Sequence, residues 1–133
     1  LDGRPVVISD GRAFFLHDEA SRALHQVERI NRMGDGSGSP GVASQATLSE
    51  DGRYVAFISL YPLLPSDTDS QFDCYLLDRR SDALELISVD LSGTSAGNYY
   101  CGSPDITPDG RFVSFESSAP DLVAGDTNGT VDI

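Results

Sequence analysis

Residues Leu48 to Phe57 read Leu-Ser-Glu-Asp-Gly-Arg-Tyr-Val-Ala-Phe, and the stretch returns at Ile106 to Phe115 as Ile-Thr-Pro-Asp-Gly-Arg-Phe-Val-Ser-Phe. An Asp-Gly pair between two apolar, β-branched runs is a hairpin signal. Glycine accepts the positive φ of a tight turn, and aspartate tolerates the position beside it. A shorter copy opens the chain, where Asp2-Gly3-Arg4 precedes Pro5-Val6-Val7-Ile8-Ser9. Self-similarity at a spacing of about 50 residues points to a repeat architecture.

Working outward from these turns gives the strands. Residues 5–9 and 12–17 flank Asp10-Gly11 and form a first pair. Asp18 to Met33 is ambiguous, because Ala20, Leu24, Val27 and Ile30 fall at helical spacing. The repeat favours a strand at Val27 to Asn31, since that stretch sits where Leu84 to Ser88 sits in the next unit. Gly34 to Ser44 reads as a Gly/Ser/Pro connection, Gln45 to Ser49 and Tyr54 to Ser59 as strands, and Leu60 to Phe72 as a long loop. Strands follow at Cys74 to Asp78 and Ala83 to Val89, joined by a turn at Arg79 to Asp82. After a connection over Leu91 to Pro104 the cycle restarts, with strands at Asp105 to Thr107 and Arg111 to Ser117 and a loop to Val131.

Four short strands per unit, recurring in tandem, describe the blades of a β-propeller. The expected fold is all-β, with about two and a quarter four-stranded antiparallel blades. Residues 1–33 would supply the last three strands of one blade, 34–90 a complete blade, and 91–133 a blade cut at its third strand. A start at a turn and a stop at Asp132-Ile133, where a strand should begin, predict further chain on either side.

Three runs carry a family resemblance: Ser49 to Phe57, Asp126-Thr-Asn-Gly-Thr-Val-Asp132, and Leu86-Ile-Ser-Val-Asp-Leu-Ser-Gly93 ahead of Gly102-Ser-Pro104. They resemble the TolB-like, WD-repeat-like propeller repeats of bacterial secreted and periplasmic proteins. The likeness spans essentially the whole chain, although the first unit carries Asp10-Gly11 in place of the long acidic loop. It implies an extracytoplasmic propeller that acts as a scaffold for a protein partner, completed by further blades or by self-association. The alternative it implies is the non-catalytic propeller domain of a larger secreted enzyme, a peptidase or a polysaccharide lyase.

Charge narrows the partners. A net charge of −12, with nine Arg and no Lys, disfavours nucleic acid and anionic lipid and favours small cations. No apolar run is long enough for a membrane span, so membrane insertion is not expected.

The cations have a candidate home. Asp67-Thr-Asp-Ser-Gln-Phe-Asp73 recurs as Asp126-Thr-Asn-Gly-Thr-Val-Asp132, which places oxygen side chains at the first, third and seventh positions of each loop. Asp67, Asp69 and Asp73, and likewise Asp126, Asn128 and Asp132, suit a structural Ca²⁺, an ion that takes several oxygen ligands at variable geometry. Equally, the same side chains could cap their own backbone amides in Asx-turns.

Catalytic readings find less support. His17 and His25 have no nucleophile motif nearby, and Gly34 to Ser39 does not fit Gly-x-Ser-x-Gly, so no catalytic residue and no organic cofactor is expected. Arg53 and Arg111 follow the Asp-Gly turns, where each would hold a carboxylate of its own turn or of the neighbouring blade. Tyr99 and Tyr100 are the aromatic candidates for a contact surface. Two cysteines are too few for a disulfide framework, and two separate, half-buried thiols are the favoured reading. A Cys74–Cys101 bond is the alternative, since in a meander both fall on one face.

Overall fold

The computed structural model describes residues 5–9, 14–18 and 27–29 as backbone strands, and residues 43–133 with their side chains. Nine strands occur among them: β1 (Pro5–Ser9), β2 (Phe14–Asp18), β3 (Val27–Arg29), β4 (Ala43–Leu48), β5 (Tyr54–Ser59), β6 (Asp73–Asp78), β7 (Ala83–Leu86), β8 (Cys101–Ile106) and β9 (Val113–Ser117). The described residues are all-β with no helix. Strands pair antiparallel with their sequence neighbours, giving sheets β1-β2-β3, β4-β5-β6-β7 and β8-β9. At Val27 the strand prevails over the helix, because Val27 pairs with His17. The Asp2-Gly3 and Asp10-Gly11 turns, and His25, lie outside the described residues.

Each of the two described Asp-Gly turns is a small hydrogen-bonded unit. Gly52 and Gly110 take φ of 67° and 71°, which a side chain would oppose. Asp51 Oδ1 accepts the Arg53 N–H (3.0 Å) and the Ser49 hydroxyl (2.7 Å), while Ser49 Oγ accepts the Tyr54 N–H (2.9 Å). Asp109 Oδ1 does the same with Arg111 N–H (3.1 Å) and the Thr107 hydroxyl (2.6 Å), and Thr107 Oγ1 accepts Phe112 N–H (3.1 Å). The working motif is therefore Ser/Thr-x-Asp-Gly-Arg. These bonds favour the ionised acid, so both carboxyls are held below the usual aspartate range.

Two strands begin earlier than their sequence suggests. β4 starts at Ala43 rather than Gln45, and β8 at Cys101 rather than Asp105. Each carries a bulge, between Ser44 and Thr47 and between Gly102 and Asp105, and each bulge holds a non-glycine residue at positive φ, Gln45 (53°) and Ser103 (49°). A bulge breaks the two-residue alternation by which a strand is recognised. The bulges also meet: Ser103 N–H donates to Gln45 Oε1 at 2.6 Å, and β8 packs beside β4. At the other end of these strands Glu50 N–H donates to the Pro108 carbonyl (2.9 Å).

The main core lies on one face of the four-stranded sheet. Val55, Phe57, Tyr75, Leu77, Ala43 and Leu63 are buried together, and Phe57 stacks on its register partner Tyr75 with ring centroids 5.8 Å apart. The opposite face of β5 and β6 is covered by β8, where Ile58, Cys74 and Cys101 form a second cluster. β5 is therefore buried on both sides, which explains its near-continuous apolar sequence.

Cys74 and Cys101 are joined, contrary to the separate-thiol expectation. Their Cα atoms lie 5.8 Å apart, within disulfide range. The chain folds back directly after β7, with Gly97 N–H on the Ser88 carbonyl (2.8 Å) and Val89 bridging Ala96. Cys101 then donates its N–H to the Phe72 carbonyl (2.8 Å), which sets it above the start of β6.

Arg53 also departs from expectation. It pairs with neither its own turn's carboxylate nor the neighbouring sheet, but with Asp78 on β6, Nε to Oδ1 at 3.0 Å and Nη2 to Oδ2 at 2.7 Å. The β5–β6 register is the cause: Tyr54 lies opposite Asp78, so the preceding residue reaches that carboxylate. This forked contact holds the Asp78 carboxyl far below the usual range. Arg111 lies over the Phe112 ring, 5.3 Å from its centroid.

Candidate metal centre

The long loop after β5 returns to the sheet at Asp73, the first residue of β6 and the register partner of Ser59. Asp73 is fully buried, and Asp67 is nearly so at 4% exposure; Asp69 is half-buried. One oxygen from each of the three lies within 4.8 Å of the others, which makes a compact set of carboxylates.

Neutral groups hold this set in place. Tyr75, whose ring belongs to the core, donates its hydroxyl to Asp67 Oδ2 in a short hydrogen bond and accepts the Leu63 N–H at 3.1 Å. Ser88, beyond β7, donates its hydroxyl to Asp73 Oδ1 (2.8 Å) and accepts the Cys74 N–H (3.0 Å). Asp67 Oδ1 accepts the Asp69 N–H (3.3 Å), and Asp69 Oδ1 accepts the Gln71 N–H (2.7 Å). The loop is thus a pair of successive Asx-turns, and these use one oxygen of each aspartate. Tyr75 and Ser88 carry no sequence signal for this role. Their positions come from strand register and from the fold-back after β7.

Asp73 Oδ2 has no hydrogen-bond partner, and it is the one such buried side-chain oxygen among the described residues. Burial pushes the Asp73 carboxyl up to about 7, with the Ser88 bond opposing and the Asp67 and Asp69 charges adding to the rise. Burial likewise raises Asp67 and Tyr75. A carboxyl whose folded-state pKa is raised binds more protons folded than unfolded between about pH 4 and 7. Its stabilising contribution is therefore full below that window and lost as pH rises through it. In EDTA, Asp73→Asn should gain about 3 kcal/mol on the wild type between pH 4.5 and 7.5. Urea midpoints of the two proteins at both pH values measure this, and a pH-independent difference would contradict it.

The second loop is arranged differently. It repeats the Asx-turns, with Asn128 N–H on Asp126 Oδ1 (3.2 Å) and Thr130 N–H on Asn128 Oδ1 (2.8 Å). Asn128 then turns its amide Nδ2 onto both oxygens of Asp132, at 3.2 and 3.0 Å. Asn128 and Asp132 are exposed, and an amide donor meets the Asp132 charge. Of the six candidate ligands, the structure therefore gathers Asp67, Asp69 and Asp73 into a carboxylate set and joins Asn128 to Asp132 by a neutral donor.

Of the two tyrosines, Tyr99 is the more exposed, whereas Tyr100 packs edge-on against Phe72 with centroids 6.2 Å apart. No helix among the described residues is long and apolar enough to cross a membrane. No protein-family model matches the chain, and no curated protein matches it.

Proposed function

We propose that the chain is part of a β-propeller of the TolB-like type its sequence resembles, and that it serves as an extracytoplasmic scaffold for a protein partner with no catalytic step of its own. The observation that carries this reading is the correspondence of β8–β9 with β4–β5. Both hairpins have the same turn, the same bulge and the same closing pair. Ser59 faces Asp73 in one, and Ser117 exchanges backbone hydrogen bonds with Asp132 in the other, at 2.9 and 2.8 Å. Their first strands lie side by side, as the inner strands of successive blades would. In this reading 1–33, 34–90 and 91–133 are successive blades, the first and last incomplete.

The disulfide suits an oxidising compartment, which supports the extracytoplasmic placement. Exposed Tyr99 and Leu91 offer an apolar contact surface on the connection that follows β7.

Beside the open edge of β9 runs an apolar groove lined by Ile87, Val113, Phe115, Leu122, Val123 and Ile133. In a propeller this surface meets the next strand or blade. The isolated 133-residue chain is therefore expected to self-associate, since monomers rarely leave such a surface uncovered. Light scattering over a concentration series tests the reading. A stable monomer at every concentration, with cooperative unfolding, would contradict it.

A further inference from the structure

We propose that Asp67, Asp69 and Asp73 bind one Ca²⁺ ion, which ties the loop after β5 to the start of β6. Three acidic residues together would not by themselves make a site. The decisive addition is Asp73 Oδ2, fully buried and without a hydrogen-bond partner, on a carboxylate grouped with those of Asp67 and Asp69. A buried anionic oxygen in that state is strongly disfavoured unless a cation or a proton meets it. The hydrogen bonds that reach the cluster come from Tyr75, Ser88 and main-chain N–H groups, all neutral. They orient the carboxylates and bring no positive charge to them.

The donor set selects the ion. All three side chains offer oxygen, and the adjacent Cys74 sulfur is committed to the disulfide, so a hard cation is favoured over zinc or copper. Two oxygens on one Ca²⁺ at 2.3–2.6 Å can be at most about 5.2 Å apart, so a single ion spans a cluster whose oxygens lie within 4.8 Å. Mg²⁺ holds its waters and an octahedral shell, and a site with two of three ligands buried resists that shell. Ca²⁺ sheds water more readily and accepts irregular geometry, including main-chain carbonyls of the same loop.

The test uses the intact, disulfide-bonded chain, stripped with EDTA and then titrated with CaCl₂ or MgCl₂ while thermal unfolding is followed. At a tenfold excess over Kd, Ca²⁺ should raise the Tm by about 5 °C. Mg²⁺ should need at least about tenfold more for the same rise. Asp73→Asn and Asp69→Asn should each abolish the Ca²⁺ shift, and Asp126→Asn should leave it intact. Asp69→Asn is the safeguard if Asp73→Asn folds poorly, because asparagine keeps the oxygen that accepts the Gln71 N–H. Equal Tm in Ca²⁺ and EDTA would overturn the proposal. So would a shift that survives both substitutions, or one lost in Asp126→Asn instead.

Discussion

Phe57→Ala is expected to lower the unfolding free energy by about 4 kcal/mol, the middle of the range for truncating a fully buried phenylalanine. Phe57 has no exposed surface, stands in a strand buried on both sides, and stacks on Tyr75. Removing its ring withdraws packing from Tyr75, the residue whose hydroxyl positions Asp67. The damage should therefore reach the acidic loop as well as the core, and the variant should respond less to Ca²⁺. Urea denaturation with an unchanged m-value measures the stability loss. A loss under about 1 kcal/mol would mean that the site collapses around the cavity more easily than this packing suggests.

Reducing the Cys74–Cys101 bond should cost about 3.5 kcal/mol, from the loop-closure entropy of a 27-residue separation. For a chain of this size that corresponds to a Tm fall of roughly 10–15 °C. The bond fastens β8 to β6 across the face where Ile58 is buried, so the second cluster should open before the main one. Circular dichroism melts with and without a phosphine reductant, with the thiols counted by mass spectrometry, give the result. A fall under 2 °C on complete reduction would show that β8 stays docked through the β4 contact and its apolar packing alone.

Much of this was legible in the sequence. Strands β1 and β5 have the bounds their residues suggest, because Asp-Gly turns and Pro/Gly-rich connections mark the ends and β-branched residues fill the middle. The grouping of Asp67, Asp69 and Asp73 was legible in part, since aspartates at the first and third positions form Asx-turns that curl the loop. What stayed hidden depends on contacts between distant residues. The starts of β4 and β8 were masked by bulges at Gln45 and Ser103, whose residue types give no sign of positive φ. The Arg53–Asp78 pair and the support from Ser88 follow from register and a fold-back that local pattern does not encode. The disulfide was the less favoured of two readings for the same reason. A connection's length gives no hint that it doubles back on itself.

The contact between the two bulges bears on how such a chain can vary. Gln45 and Ser103 stand 58 residues apart in sequence yet meet directly, each fixed six residues before the aspartate of its own turn. The two hairpins are thus keyed to each other through their first strands, and the long loop adds one bond at its end, from Cys101 N–H to the Phe72 carbonyl. The length of chain between one key and the next is then free to differ. Insertions in the 60–72 loop away from the aspartates, Ser66 and Phe72 should leave the Gln45–Ser103 contact untouched, whereas one residue added between Gln45 and Asp51 would shift Gln45 against its own turn and break the match with Ser103.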